Sequence, residues 1–442
     1  MHLALGGARA DRAPGDQVVD FGQNFAGWCR IAVRGPTGQT VTLRFAEVLD
    51  TDGQVDMRNL RAARGTDRYT LRGDPQGETW QPRFTYHGFR YVQVSGWPGE
   101  LNAADISGIV VHSDLPINGQ FSSDQPVLQG LWHNTMWSQS SNFVGLPTDC
   151  PQRDERLGWT CDAQIFGPTA TFNMDVRGFA RSVLADLRAS QRADGAYADT
   201  SPPALPANGA HGWSDAGVVL PYTVWQHDGD TAIIDGHRKS MERWIAWIAE
   251  VNPDGLWRNR REVDFGDWLS LDAVNVMVAT TPKLLTASAC WARLLDLMSA
   301  MAEATGRVDR TEHFRAWHAR VIPAFQAEFV RADGQIGIAS HTSFILALAF
   351  GLVPGHRRQA AADNLAANIR ARRTLLSTGF IGTCPAWTCS PTTATPSWWW
   401  SCCCAPTSRS GAIWPVVARR RSGSAGTATS MARSMAMNSS GV

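Results

Sequence analysis

The segment from Asp149 to Asp162 carries the densest group of side chains that could do chemistry. It reads Asp149-Cys-Pro-Gln-Arg-Asp-Glu-Arg-Leu-Gly-Trp-Thr-Cys-Asp162, with four carboxylates, two arginines and a tryptophan in fourteen residues. A carboxyl group can protonate a leaving oxygen, further carboxylates can hold hydroxyl groups, and an indole can pack against a sugar ring. A salt-bridged surface loop would have the same composition, so composition alone leaves both interpretations open.

Two later segments repeat the pairing of an aspartate with a tryptophan. They are Gly212-Trp213-Ser-Asp215 and Asp264-Phe-Gly-Asp267-Trp268. Taken singly, Asp215 could cap a helix and Asp267 could form a turn. Three such segments in one chain favour a single shared sugar pocket, with Trp159, Trp213 and Trp268 around it.

The overall composition excludes several other classes of function. The 442 residues include 41 basic and 40 acidic side chains, a formal charge of +1, which argues against a nucleic-acid or membrane-surface partner. No apolar run reaches the roughly 18 residues of a membrane span. No phosphate-binding loop, dinucleotide fingerprint or metal motif is present, so we expect no cofactor and no metal. Residues 1–20 lack the apolar stretch of a secretory signal, and a cytoplasmic location is the default expectation.

The first quarter of the chain has the pattern of short β-strands. Residues 38–45 alternate apolar and polar side chains, and turn residues such as Gly35-Pro36 and Asp52-Gly53 separate the apolar segments. Strands are predicted at 17–21, 29–33, 38–45, 67–71, 89–94 and 106–111. This spacing favours an antiparallel β-sandwich over residues 1–113.

From residue 114 onward the pattern becomes helical. Pro126 stands at a predicted first helical position, and amphipathic segments then recur, joined by long loops. Helices are predicted at 126–143, 174–192, 217–228, 231–250, 284–305, 309–329 and 343–351. Because no fixed sequence period is found, an α/α barrel is favoured over a solenoid for residues 114–383.

The same residues closely resemble the bacterial α-L-rhamnosidase family of inverting glycoside hydrolases. The segments Asp20–Trp28, Phe45–Leu49 and Pro82–Val92 resemble its β-sandwich domain. The stretch Asp149–Asp162 resembles its most specific active-site signature, and the two aspartate–tryptophan segments resemble further pocket motifs. The resemblance covers about residues 17–383 and implies an (α/α)6 barrel behind the sandwich.

The resemblance also implies roles for individual residues. Glu155 matches the general acid of the family, and the adjacent Asp154 is the second candidate. The positions that match the lining of the rhamnose site are Asp149, Arg153, Trp159, Asp162, Trp213, Asp215, Asp267 and Trp268.

The resulting prediction is an inverting exo-glycosidase that removes terminal α-L-rhamnose from a small-molecule or oligosaccharide glycoside. One alternative is another (α/α)6-barrel glycosidase, such as a glucoamylase-like or trehalase-like enzyme. A second is a carbohydrate-binding relic that binds rhamnose without turning it over. The preferred aglycone, the linkage and the oligomeric state stay open.

The last residues, 384–442, have the composition of a segment read in the wrong frame. No acidic residue follows Asp363, and runs such as Trp398-Trp-Trp400 and Cys402-Cys-Cys404 replace helical periodicity. In a shifted frame, the codons of residues 417–427 can spell Gly-Ala-Thr-Thr-Ile-Trp-Glu-Arg-Trp-Asp, which resembles the family's general-base motif. We therefore expect a barrel that is incomplete at its C-terminal end and a chain that lacks its base, is nearly inactive and aggregates. A disordered, variable tail is the alternative.

Overall fold

The computed structural model describes residues 4–6, 8–10, 16–206, 209–260, 264–275, 278–373 and 375–386. The frame prediction covers residues 384–442, of which the structure describes only 384–386; the frame prediction and the predicted loss of the closing helices both stay predictions.

The N-terminal domain is built from antiparallel strands. The longest strand, β3, pairs with β2, β8, β9 and β10, and its register against β9 shifts between Asp20 and Phe25. Six strands follow the order β1-β10-β3-β9-β4-β7. The strands are β1 (Ala4–Gly6), β2 (Ala8–Ala10), β3 (Asp16–Val33), β4 (Thr40–Ala46), β5 (Val48–Leu49), β6 (Val55–Asp56), β7 (Thr66–Thr70), β8 (Glu78–Trp80), β9 (His87–Ser95) and β10 (Ile106–Val110). The two predicted strands at 17–21 and 29–33 are therefore parts of one strand.

Apolar side chains from alternate positions of these strands form the core of the β domain. The ring of Phe89 lies 4.6 Å from that of Phe25 and 4.8 Å from that of Phe45, which brings β3, β4 and β9 together. Leu43 and Phe45 on β4 are buried, whereas Thr40 is exposed. This is the alternation expected of a strand with one buried face.

The rest of the described chain is mainly helical. Short strands β11 (Phe143–Val144) and β12 (Leu146–Pro147) pair with each other just before the first site segment. The helices are α1 (Pro126–Asn142), α2 (Thr160–Asn173), α3 (Arg177–Ala189), α4 (Ala216–Asp228), α5 (Ala232–Ala249), α6 (Lys283–Ala304), α7 (Val308–Phe329), α8 (His341–Ala349), α9 (Arg358–Ala371) and α10 (Phe380–Ala386). The three 3-10 turns are Arg58–Leu60, Ala103–Asp105 and Gly355–Arg357.

Short turns join successive helices into hairpins. Gly229 adopts φ 73° directly after α4 and donates its N–H to Trp225 O at 2.8 Å, and α5 begins three residues later. Gly306, at φ 70°, lies in the turn between α6 and α7. Glycine reaches this left-handed conformation without a Cβ clash, so it can end a helix and reverse the chain.

The helical core is rich in tryptophan. Trp244, Trp247, Trp257 and Trp291 are all almost completely buried. Trp244 stacks on Trp247 at 5.0 Å and meets Trp257 edge to face at 5.6 Å. Much of the tryptophan excess in the sequence therefore serves packing. The prediction of an antiparallel β domain followed by a helical hairpin domain is confirmed.

Among the helices of the described residues, none combines the length and the apolar character needed to cross a membrane.

Candidate active site

The acid loop, residues 149–158, connects β12 to α2 and is closed by its first residue. Asp149 donates its backbone N–H to Leu157 O at 3.0 Å, and its Oδ1 accepts the N–H of Leu157 at 3.0 Å. The side chain of Asp149 is only 3% exposed. Burial, followed by the nearby charge of Glu155, raises the pKa of this carboxyl group. Asp149 therefore fixes the two ends of the loop that carries both acid candidates.

Glu155 is held by donors on both of its oxygens. Its Oε2 accepts Arg153 Nε at 3.0 Å, and its Oε1 accepts the indole Nε1 of Trp159 at 2.8 Å. Arg61, from the β domain, donates Nη1 to Oε2 at 3.0 Å. Arg153 also reaches Asp149 Oδ2 at 3.1 Å. The carboxylate of Glu155 is thus fixed in orientation while its side chain stays 22% exposed.

The second acid candidate, Asp154, points to a different neighbour. It is exposed, and its Oδ2 accepts the backbone N–H of Ala62 at 3.2 Å. Both acid candidates therefore contact the β domain, and of the two only Glu155 also contacts Trp159 of the predicted pocket.

The three predicted pocket tryptophans meet around Phe265. The ring centroid of Phe265 lies 4.5 Å from Trp213. It lies 5.8 Å from Trp159 and 5.9 Å from Trp268, both edge to face. Trp213 is buried, whereas Trp159 and Trp268 are half-buried. The structure thus brings the three separate segments into one aromatic cluster.

Asp162 lies in the first turn of α2, beyond the end of the acid loop. Burial, followed by the nearby charge of Asp149, raises its pKa to about 7. Two carboxyl groups with raised pKa values therefore flank the acid loop: Asp149 is its first residue, and Asp162 lies in the helix that follows it. With a pKa of about 7, the carboxyl group of Asp162 can both donate hydrogen bonds to hydroxyl groups and accept them near neutral pH.

Asp215 is buried and bonded within the protein. Its Oδ2 accepts the N–H of Gly212 at 2.7 Å, and its Oδ1 accepts Trp244 Nε1 at 3.2 Å. Burial raises its pKa to about 6. These contacts shape the turn that carries Trp213.

Asp267, in the third segment, is buried and bonded to protein groups in the same way as Asp215. It is completely buried, and its Oδ2 accepts Thr342 Oγ1 at 2.5 Å and the N–H of Gly379 at 2.8 Å. Its Oδ1 accepts the N–H of Gly382 at 2.9 Å. The carboxylate therefore joins the loop of Trp268 to α8 and to the start of α10.

One group of side chains has the composition of a metal site. Ligand atoms of Asp149, Cys150 and Glu155 lie within 4.8 Å of one another. Arg153 donates to both carboxylates of this group, so a guanidinium already supplies the positive charge there. This charge arrangement suits an ion-pair network better than a cation site.

A cavity of about 820 Å³ lies between the β domain and the acid loop. Its wall includes Asp149 and Asp162, together with Gln152, Trp137 and Tyr91. Gln152 is 5% exposed, and its Oε1 has no hydrogen-bond partner among the described residues. The wall of this cavity includes neither Glu155 nor any residue of the aromatic cluster, so the cavity lies beside that cluster and not around it.

Two residues of this site are missing from the sequence predictions. Phe265 stands between the quoted residues Asp264 and Asp267, and an aromatic residue inside a tryptophan-bearing segment was a signal for it. Arg61 lies 94 residues before Glu155, and nothing in the local pattern connects the two.

An antiparallel β domain followed by helical hairpins, with an acid loop and a tryptophan cluster at their junction, is the architecture of an α/α-barrel glycoside hydrolase. Residues 116–390 match the bacterial alpha-L-rhamnosidase 6 hairpin glycosidase domain, and residues 11–112 match the concanavalin-like domain of the same proteins. The chain belongs to the bacterial α-L-rhamnosidase family.

Individual relatives agree with this placement. An alpha-L-rhamnosidase of Streptomyces avermitilis is 41% identical over 373 residues, which are 84% of this chain and 35% of that protein. One of Formosa agariphila is 34% identical over 83% of this chain and 40% of that protein. The chain therefore spans only about a third to two fifths of the length of these curated relatives.

Solved structures have the same fold. The Streptomyces avermitilis alpha-L-rhamnosidase complexed with L-rhamnose superposes with a TM-score of 0.81 at 38% identity, over 90% of this chain and 39% of that one. The native enzyme from Aspergillus terreus gives a TM-score of 0.82 at 34% identity, over 90% of this chain and 48% of that one.

Proposed function

We propose that this chain is the catalytic part of an inverting exo-α-L-rhamnosidase that acts on terminal α-L-rhamnosides. The observation that carries the proposal is the position of Glu155, whose oxygens are held by Arg153 and Trp159 beside the aromatic cluster. A fixed, partly exposed carboxyl group next to an aromatic surface suits protonation of a glycosidic oxygen while a sugar packs on the rings.

In the proposed reaction, Glu155 gives its proton to the glycosidic oxygen as the bond from that oxygen to C1 breaks. A water molecule attacks C1 from the opposite face and gives its proton to a second carboxylate, the general base. The products are the free alcohol and β-L-rhamnose. Inversion requires the two carboxyl groups to be roughly 6.5–9.5 Å apart, so that the water fits between them.

The remaining site residues have supporting roles in this proposal. Asp149 and Asp162 hold sugar hydroxyls, and Arg153 orients the acid. Trp159 and Trp268, which keep part of their surface open, form the apolar surface for the ring, and the buried Trp213 supports them through Phe265. Asp215 and Asp267 act indirectly, because their carboxylates are bonded to protein groups that shape the loops of Trp213 and Trp268. Asp154 stays the second candidate for the acid.

The general base is proposed to come from the codons of Gly423 and Ser424 read in the shifted frame, outside the described residues. Two versions of the chain test this: the chain as written, and one whose residues after Thr383 are translated in that frame. Both are incubated with p-nitrophenyl α-L-rhamnoside, and resequencing of the gene around the Thr383 codon accompanies the assay. We expect release from the shifted-frame version and little or none from the chain as written.

Substrate profiling and product analysis distinguish the proposed rhamnosidase from another α/α-barrel glycosidase and from a carbohydrate-binding relic. Release from an α-glucoside instead of a rhamnoside would favour another α/α-barrel glycosidase. Binding of L-rhamnose without turnover by either version would favour a carbohydrate-binding relic. NMR of the first product should show the β anomer, and an initial α anomer would refute inversion.

A further inference from the structure

We propose that Arg61, in the β domain, is a positioning residue for Glu155 and acts at the step in which the leaving group is protonated. This inference rests on the proposed function. It assigns to the β domain a part in catalysis through a side chain that lies far from the acid loop in the sequence.

The contact between Arg61 and Glu155 completes the set of donors around the carboxylate. Arg153 and Trp159 stand two and four residues from Glu155, Arg153 in the acid loop itself and Trp159 at the start of α2 directly after it. Arg61 reaches Oε2 from a separate domain, with Nη1 at 3.0 Å. Of these three donors, Arg61 alone comes from the β domain and so fixes the acid relative to that domain.

The backbone around Arg61 is shaped for this contact. Arg61 follows the 3-10 turn Arg58–Leu60 with φ 55°, a conformation that non-glycine residues seldom adopt. The next residue, Ala62, donates its N–H to Asp154 Oδ2 at 3.2 Å. Two consecutive residues of the β domain therefore bond two consecutive residues of the acid loop. Conformations of this kind are concentrated at functional sites, where the surroundings hold them.

A second segment of the β domain supports the other side of the acid. Arg156, which follows Glu155, adopts φ 51°, and its guanidinium lies 4.6 Å from the ring centre of Tyr86. The β domain therefore contacts three consecutive residues of the acid loop. It contacts Glu155 through Arg61, and it contacts the two neighbours of Glu155, Asp154 and Arg156, through Ala62 and Tyr86.

This placement has a consequence for the leaving group. The proton from Glu155 goes to the glycosidic oxygen, so the departing alcohol must lie beside Glu155 and near Arg61. The side chain of Arg61 is 56% exposed, which leaves it at an accessible rim. Loss of exact positioning should matter most for alcohols that leave poorly, because these depend on the acid.

The test compares leaving groups in the full chain, in whichever of the two reading frames turns over rhamnoside. We measure kcat and KM for two substrates. The dinitrophenolate of 2,4-dinitrophenyl α-L-rhamnoside leaves without protonation, whereas the methanol of methyl α-L-rhamnoside leaves only when its oxygen is protonated. For Arg61→Gln we expect kcat to fall about 10- to 100-fold on the methyl rhamnoside and less than threefold on the dinitrophenyl rhamnoside. Arg61→Lys should recover part of the loss, because it keeps a cationic donor.

Arg58→Gln is the matched control. Arg58 lies in the adjoining 3-10 turn, is 88% exposed and pairs with Asp56, so this variant should match the unaltered chain on both substrates. Melting temperatures of all variants are recorded alongside. Equal losses on the two substrates in Arg61→Gln, or no loss on either, would overturn the proposal for Arg61. Absence of rhamnoside turnover in both reading frames would instead refute the proposed function, and the role of Arg61 would be refuted with it.

Discussion

Phe265 lies against Trp213 with ring centroids 4.5 Å apart and planes inclined at 42°. Trp213 is 3% exposed, so this contact anchors Phe265 to the helical core. Trp159 and Trp268 meet the other sides of Phe265 and keep part of their surface open. The half-buried rings are therefore the ones available to a ligand, while Trp213 supports them from behind.

Trp268→Ala should weaken the binding of L-rhamnose. Loss of the half-buried indole removes apolar contact worth on the order of 1–3 kcal/mol, which corresponds to a loss in affinity of about 5- to 150-fold. Isothermal titration calorimetry measures it directly. The control is Trp317→Ala, which removes a half-buried tryptophan that packs on Trp291 in the helical core. Equal affinities for Trp268→Ala and the unaltered chain would contradict a ligand-binding role for Trp268.

Glu155→Gln should abolish turnover and leave L-rhamnose binding largely intact. The substituted amide has nearly the same shape as the carboxyl group but no acidic proton to give, and general acid catalysis contributes about 10²- to 10⁴-fold in rate. The rate with methyl α-L-rhamnoside and the calorimetric affinity are measured together. Asp154→Asn, at the neighbouring position, serves as the comparison. If the rate falls in Asp154→Asn and not in Glu155→Gln, the acid assignment passes to Asp154.

The titration of Asp162 and Asp215 should lower the stability of the folded chain as the pH rises from about 4 to about 7. Burial raises the pKa of Asp162 to about 7 and that of Asp215 to about 6, from 3.8 for the ordinary group. Between these pH values the folded state holds more protons than the unfolded state at these two carboxyl groups, so their contribution to the free energy of unfolding falls as the pH rises. Each pKa unit corresponds to about 1.4 kcal/mol in the free energy of unfolding.

Asp162→Asn removes one titrating group and should flatten this dependence. Asp186→Asn, which alters an exposed carboxylate on α3, should leave it unchanged. Melting temperatures recorded at intervals from pH 4 to pH 8 provide the comparison. A slope that is the same in Asp162→Asn and in the unaltered chain would show that Asp162 does not titrate in this range.

Asp267→Ala should destabilise the helical domain. The change leaves the buried N–H groups of Gly379 and Gly382 without their acceptor, at a cost of about 1–3 kcal/mol for each unsatisfied group. Thermal unfolding, with hydrogen exchange at residues 379–382, measures the loss. Asp296→Ala removes an aspartate that is 57% exposed and should have little effect. Unchanged exchange at residues 379–382 in Asp267→Ala would contradict the anchoring role.

Elements with a clear hydrophobic period could be predicted from the sequence. The long helices α6 and α7 lie within one residue of their predicted ends, because α6 is a long apolar segment buried on most of its surface and α7 buries apolar side chains along one face. Helix α2 was missed, because small and polar residues make up much of it and Pro168 interrupts the pattern. Its buried positions are set by tertiary packing, which local periodicity does not report.

The site was predictable to the extent that its residues lie in short, unusual segments. The tryptophans of the three segments meet around the ring of Phe265, whereas their role in one sugar pocket stays a prediction. The partners of Asp267 were not predictable, because Thr342 and Gly379 lie 75 and 112 residues away along the chain. These long-range hydrogen bonds depend on how the helices pack together, and no local sequence pattern predicts them.

The close fit between Gly88 of the β domain and the acid loop of the helical domain restricts how either domain can be exchanged for that of a homologue. A Cβ at Gly88 would stand 2.8 Å from Cβ of Gln152 and 2.9 Å from Cγ of Pro151, so even a methyl group would collide. A chimaera that joined this helical domain to a β domain from a distant homologue would have to reproduce that surface. The two domains should therefore be inherited, and engineered, as a pair.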